Sequence, residues 1–175
     1  MSAASPPLDL AVLNAMAHDA FVAVLGPAFE NAPWVADGAW SGRPFASVAA
    51  LHAAMLDVVR RAPEERQLAF LCGHPELAGH EAQAGTMTAE STGEQCSAGL
   101  NALTGAERDE LLGLNRAYRE RHGFPFIIAV RANTKQQIFE AIRVRTSQAT
   151  GIERRTALEQ IGLITRGRID ALVKE

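Results

Sequence analysis

The chain has 175 residues, 47% of them hydrophobic, and a formal charge of -3, which fits one compact domain able to bury most of its apolar surface. That charge balance provides no dense basic surface and argues against a nucleic-acid footprint, leaving small molecules or proteins as partners. Cys72 and Cys96 stand outside any CxxC arrangement, so neither a disulfide framework nor a two-pair zinc site has support, and a reducing compartment suits both.

Residues 1–9, with Ser5-Pro6-Pro7, read as a loose leader, because consecutive prolines donate no backbone hydrogen bonds. The domain is expected over residues 10–175. Nothing at the N-terminus joins a basic segment to an apolar run, and no run reaches the roughly 18 apolar residues of a membrane span. The last residues, Val173-Lys174-Glu175, are not a Ser-Lys-Leu address, and a cytoplasmic protein is expected.

From Leu10 the apolar positions Leu13, Ala17, Phe21, Val24 and Leu25 keep one helical face, predicting one or two helices that end near Gly26-Pro27. Pro33 is placed to open a short helix through Trp40, and Ser47 to cap one with Val48, Leu51, Met55, Val58 and Val59 inward. His52 reads as an ordinary helical residue. Pro63 with Glu64 and Glu65 opens the next helix, acids at its positive end; it runs out at Gly73 and delivers His74. Residues 79–88 read as a polar loop, followed by a helix over about 89–100.

Thr104 and Glu107 form a capping box. The helix behind it runs to His122, stops at Gly123 and turns Leu111, Leu114 and Tyr118 inward. Phe126 to Val130 has strand propensity but no partner strand, which predicts extended chain between helices with some amides free to face a ligand. A helix over about 134–146 buries Ile138, Phe139 and Ile142. The last, from Gly151 to about Val173, turns Leu158, Ile161, Leu163, Ile164, Ile169 and Leu172 inward. Arg143, Arg145, Arg154 and Arg155 read as a solvated face, whereas Arg166 and Arg168 lie on a helix that must pack, so that one of them could turn inward. The fold class is all-α, one domain of about eight helices.

Chemistry gathers at Cys72-Gly73-His74-Pro75-Glu76-Leu77-Ala78-Gly79-His80 and Ser91-Thr92-Gly93-Glu94-Gln95. An imidazole exchanges protons near neutral pH, and Pro75 keeps His74 out of helical geometry at a corner. Ser91, Glu94 and Gln95, at i, i+3 and i+4, project from one helical face as a second wall. Two bland readings stand beside this one. His74 and Glu94 can merely cap and pair in a non-catalytic interaction module, or His74, His80, Cys72, Cys96 and Glu94 can hold zinc in a hydrolase. Histidines six apart, with no HExxH, speak against the metal. GxSxG, GxGxxG and GxxxxGK[ST] are all missing, which removes the usual signatures of serine hydrolases and nucleotide sites.

Six ordered runs carry a resemblance. Ala32-Pro33-Trp34-Val35-Ala36, Arg43-Pro44-Phe45, His74-Pro75-Glu76-Leu77-Ala78-Gly79, Ser91-Thr92-Gly93-Glu94-Gln95, Leu114-Asn115-Arg116-Ala117-Tyr118 and Gly123-Phe124-Pro125-Phe126-Ile127-Ile128-Ala129-Val130-Arg131 resemble the OHCU decarboxylase family, where OHCU is 2-oxo-4-hydroxy-4-carboxy-5-ureidoimidazoline. The resemblance implies an all-helical enzyme, usually dimeric, that needs no cofactor or metal and converts OHCU to (S)-allantoin in urate breakdown. It implies His74 and Glu94 as the catalytic pair. Pro75, Ser91, Gln95 and Arg168 would bind substrate, together with backbone around Phe126, Ile127 and Ile128. Glu76 stands where many members have aspartate, and Gly167 interrupts a run that is more apolar in the family.

Overall fold

The computed structural model describes residues 6–30 and 32–175. In chain order the helices are α1 (Leu10–Ala15), α2 (His18–Leu25), α3 (Pro33–Ala39), α4 (Val48–Arg61), α5 (Glu64–Cys72), α6 (His80–Ala84), α7 (Ala89–Ser97), α8 (Gly105–His122), α9 (Lys135–Thr146) and α10 (Thr150–Leu172). The class is all-α, as expected. Among the described residues the strands are β1 (Leu8–Asp9) and β2 (Val173–Lys174), which pair in parallel with Leu8 opposite Val173. That ladder corrects the leader reading for Leu8 and Asp9, whose backbone is paired; residues 1–5 lie outside the described part. A two-residue pairing with a distant segment leaves no periodicity to detect. Among the described residues no helix is long and apolar enough to cross a membrane.

The chain packs as two compact units, one taking the chain up to Phe70 together with Ile164–Glu175, the other Leu71–Leu163. In the first, the Ser47 hydroxyl accepts from the Ala50 amide at 3.0 Å and starts α4, whose Leu51, Met55 and Val59 are buried with Phe21, Leu25, Phe29 and Val35. His52 is buried too, its Nε2 2.9 Å from Thr165 Oγ1. Trp34 and Trp40 are half-buried, each under a guanidinium, Arg66 at 4.2 Å and Arg43 at 3.0 Å from the ring centroid.

In the second unit the predicted capping box is present. Thr104 Oγ1 accepts from the Glu107 amide and Glu107 Oε2 accepts from the Thr104 amide at 2.9 Å. α8 ends at Gly123, whose φ of 82° needs a residue without a Cβ. Leu111 and Tyr118 are fully buried, and Asn115 takes the inward place that Leu114 was expected to hold. Thr134 and Gln137 make a second capping box for α9, which buries Ile138, Phe139 and Ile142.

Two stretches differ from expectation. The 79–88 loop contains α6, a helix short enough to carry no apolar period, ended by Gly85 in the left-handed region. On α10, Ile161 and Ile169 are buried as expected, Leu158, Ile164 and Leu172 are half-buried, and Leu163 is 59% exposed. The buried stripe follows Glu153, Ala157, Ile161 and Thr165 at steps of four, and Leu163 is out of phase with it.

Glu107 also accepts a hydrogen bond from Lys135. That bond, with the Thr104 amide next, lowers its carboxyl pKa from 4.5 to about 2. A depressed carboxyl contributes stability above its unfolded value that is lost as pH falls through the folded one. Glu107→Gln should therefore lower the melting temperature at neutral pH, and the gap to the parent should close as pH drops from 4.5 towards 2, as read by thermal scans at stepped pH.

Candidate active site

α5 stops at Cys72 and the His74 amide donates to Leu71 O at 3.2 Å, turning the chain into a loop over residues 74–79. His74 is 8% exposed. The loop closes where the Gly79 amide donates to Glu76 O at 3.2 Å, and a Cβ on Gly79 would stand 2.6 Å from the Glu76 Cβ, closer than real side chains approach. Ala78 before it has φ of 49°, a left-handed conformation that a non-glycine residue holds only when its surroundings enforce it.

The enforcing group is on α7. Thr88 caps that helix through the Ser91 amide at 3.2 Å, and Ser91, Glu94 and Gln95 are all buried, as their shared helical face predicts. Gln95 Oε1 accepts from the Ala78 amide at 2.8 Å, while its Nε2 donates to Glu76 O at 3.3 Å and lies 3.2 Å from Met87 Sδ. From α8, Asn115 Nδ2 donates to Leu77 O at 2.9 Å and Arg119 Nε to Glu76 Oε1 at 2.6 Å. The loop bearing His74 and Pro75 is thus tied to the helix bearing Ser91 and Glu94. Gln95, expected at the substrate, has its amide engaged by loop backbone. Asn115 was missed as an inward residue; its Oδ1 is buried and meets no partner among the described residues.

Residues 124–129 are extended and unpaired with any strand, as expected, and Phe126, Ile127 and Ile128 are buried. Side chains satisfy part of their backbone. Gln160 Oε1 accepts from the Ala129 amide at 3.0 Å, Asn133 Nδ2 donates to Ala129 O at 2.9 Å, and Arg145 Nη1 donates to Ile127 O at 2.9 Å. Among the described residues no group accepts from the amides of Phe126, Ile127 or Ile128. Buried amides without an acceptor are rare in proteins and call for a partner from outside the chain, water or ligand.

Arg145 corrects the solvated-face reading. It is buried against the fully buried Glu153, with Nε at 2.9 Å and Nη2 at 2.5 Å from Oε1. The Tyr118 hydroxyl donates to the same carboxylate oxygen. Burial first, then that hydrogen bond, push the phenol pKa up, so the proton stays on tyrosine.

Arg168 belongs to the other unit. It is buried there, Nη1 at 2.5 Å from Glu30 Oε2 and 3.5 Å from Ala28 O, while Arg166 stays half-exposed with Asp170. Glu30 holds φ of 57°. Cys72 and Cys96 are free and exposed, and among the described residues no three His, Cys, Asp or Glu side chains are placed to hold a metal ion. A cavity of about 380 Å³ borders the clamp, lined by Ala78, Met87, Gln95, Cys96 and Arg108 among others, but not by His74, Ser91 or Glu94.

The family model described as OHCU decarboxylase matches residues 14–170. A 2-oxo-4-hydroxy-4-carboxy-5-ureidoimidazoline decarboxylase of Haloferax volcanii is 39% identical over 93% of the chain and 94% of its own length. One of Amia calva is 35% identical over 95% of each. Among solved structures, an (S)-allantoin synthase superposes with a TM-score of 0.78 at 27% identity, over 96% of this chain and 54% of that one.

Gln95→Leu removes the acceptor of the Ala78 amide. It should lower stability by about 1–3 kcal/mol, the range for a buried group left unpaired, with faster hydrogen exchange at Ala78; denaturant midpoints and amide exchange check the two.

Proposed function

Because the chain belongs to the OHCU decarboxylase family and converts OHCU to (S)-allantoin in urate breakdown, we propose that His74 and Glu94 carry the chemistry. Pro75, Ser91, Gln95 and the backbone around Phe126, Ile127 and Ile128 hold the substrate. For Arg168 the same role is proposed on the family resemblance alone. We propose further, on the resemblance, that the enzyme is a cytoplasmic homodimer working without a cofactor.

When the bond to the carboxylate breaks, its electron pair forms a double bond to the neighbouring ureido-bearing carbon, and the ring C=N pair moves onto nitrogen. The substrate is its own electron sink. The ureido-bearing carbon then takes a proton on one face, and the hydroxyl on its neighbour becomes the carbonyl of allantoin as its proton passes to the ring nitrogen, with carbon dioxide as the other product. The protein has to orient the ring, stabilise the developing charge and deliver one proton stereospecifically. In this reading His74 moves the proton, Glu94 holds the hydroxyl, and the amides of residues 126–128 fix the polar edge of the ring.

The observation that supports this most is the Gln95 clamp, which joins the backbone of the His74 loop to the α7 face of Ser91 and Glu94. OHCU made in situ from urate with uricase and hydroxyisourate hydrolase, followed by circular dichroism, should turn to (S)-allantoin faster than it decays alone; an unchanged rate refutes the activity. His74→Ala should lose about 10²–10⁴ in rate, the usual contribution of a positioned acid or base, with its helical signal intact. A fully active variant removes His74 from the mechanism.

A further inference from the structure

Arg145 and Glu153 lie beyond every residue assigned above to the chemistry, yet they form a buried ion pair against the segment whose amides the proposed function uses. Ion pairs of this kind are poor stabilisers, since taking two charges out of water offsets most of their attraction, and apolar residues of the same volume hold a core as well or better. Direction is what a guanidinium supplies and an apolar side chain does not. Its donors leave a rigid plane at fixed angles.

Those angles are set from several sides. Arg145 Nε reaches both Glu153 oxygens, at 2.9 and 3.2 Å, and Nη2 reaches Oε1 at 2.5 Å. The Tyr118 hydroxyl donates to the same Oε1 and keeps its proton. The guanidinium carbon lies 4.5 Å from the centroid of the Phe126 ring, which the Tyr118 ring meets edge-on at 5.2 Å. His122 Nε2 is 3.1 Å from Arg145 O, and its Nδ1 3.1 Å from Thr150 Oγ1. Nη1 is turned to the backbone and donates to Ile127 O at 2.9 Å.

A trans peptide is planar, with its carbonyl and the next amide pointing in opposite directions. Holding Ile127 O therefore aims the Ile128 N–H, which has no acceptor among the described residues. On the far side, Gln160 holds the Ala129 amide at 3.0 Å and fixes the following peptide plane. We propose that Arg145, oriented by Glu153 and Tyr118, is a positioning residue that aims the Ile128 amide at a carbonyl or ureido oxygen of the substrate. This rests on the reading that the 126–128 backbone holds the substrate.

The test uses Arg145→Lys and Tyr118→Phe in the full chain. Lysine keeps the charge without the fork, and phenylalanine keeps the ring without the hydroxyl, so the second stays available if the first fails to fold. For each folded variant, kcat, KM and the pH profile are measured with OHCU, and the Ile128 amide is followed by ¹⁵N NMR with and without allantoin. Arg145→Lys should lower kcat/KM by about a hundredfold, the scale of a substrate misplaced by an ångström, with a moved Ile128 resonance and an unchanged pH profile. Tyr118→Phe should act in the same direction and less. Wild-type kinetics in the folded variants, or a moved Ile128 resonance without a kinetic change, overturns the positioning role. An Ile128 resonance in the parent protein that allantoin leaves unmoved overturns the underlying reading instead, which separates the two failures.

Discussion

Two stretches of non-helical backbone inside a helical unit impose the constraint that the rest obeys. Residues 74–79 and 124–129 have neither a helix nor a ladder to take their N–H and C=O groups, and both are largely buried. Side chains answer for them, Gln95 and Asn115 on the first, Gln160, Asn133 and Arg145 on the second. A buried backbone group left unmet costs as much as a lost hydrogen bond, so these polar residues are as structural as the leucines beside them. The amides of 126–128 are the exceptions that no side chain among the described residues meets.

The two loops are held by different chemistry for a reason that their geometry supplies. The 74–79 loop needs one acceptor and two donors over two successive peptides, which the carboxamides of Gln95 and Asn115 match without any charge. The 124–129 segment offers a single carbonyl towards α9, and a lone neutral donor there would be free to swing. Arg145 is instead fixed in its plane by Glu153, whose own orientation Tyr118 sets. Ala78 shows the opposite device, a conformation tolerated because Gln95 grips its amide.

Local signals in the sequence located most of this. Ser47 and Thr104 mark helix starts because a hydroxyl at that position meets an orphan amide whatever the tertiary context. The extended segment was legible because Phe126 to Val130 has strand propensity and no strand to pair with. Ser91, Glu94 and Gln95 are buried together because helical spacing alone puts them on one face. What stayed hidden depends on partners far along the chain. Arg168 turns inward to Glu30, which lies 138 positions away, and no window of sequence relates them. Arg145 looked solvated because its acid is on the next helix, and Asn115 was passed over as an inward residue because polarity outweighs position in a pattern count. Leu163 was misplaced for the converse reason, apolar but out of phase with its stripe.

The aromatic residues are divided between the units in a way that has an optical meaning. Both tryptophans, Trp34 and Trp40, fall in the unit built on α4, each stacked beneath an arginine, while the single tyrosine, Tyr118, is buried in the other unit. Tryptophan emission therefore reports on one half of the molecule and tyrosine absorbance on the other. Melting curves recorded at the two signals from one cuvette will coincide if the halves come apart as a single cooperative body and separate if they do not.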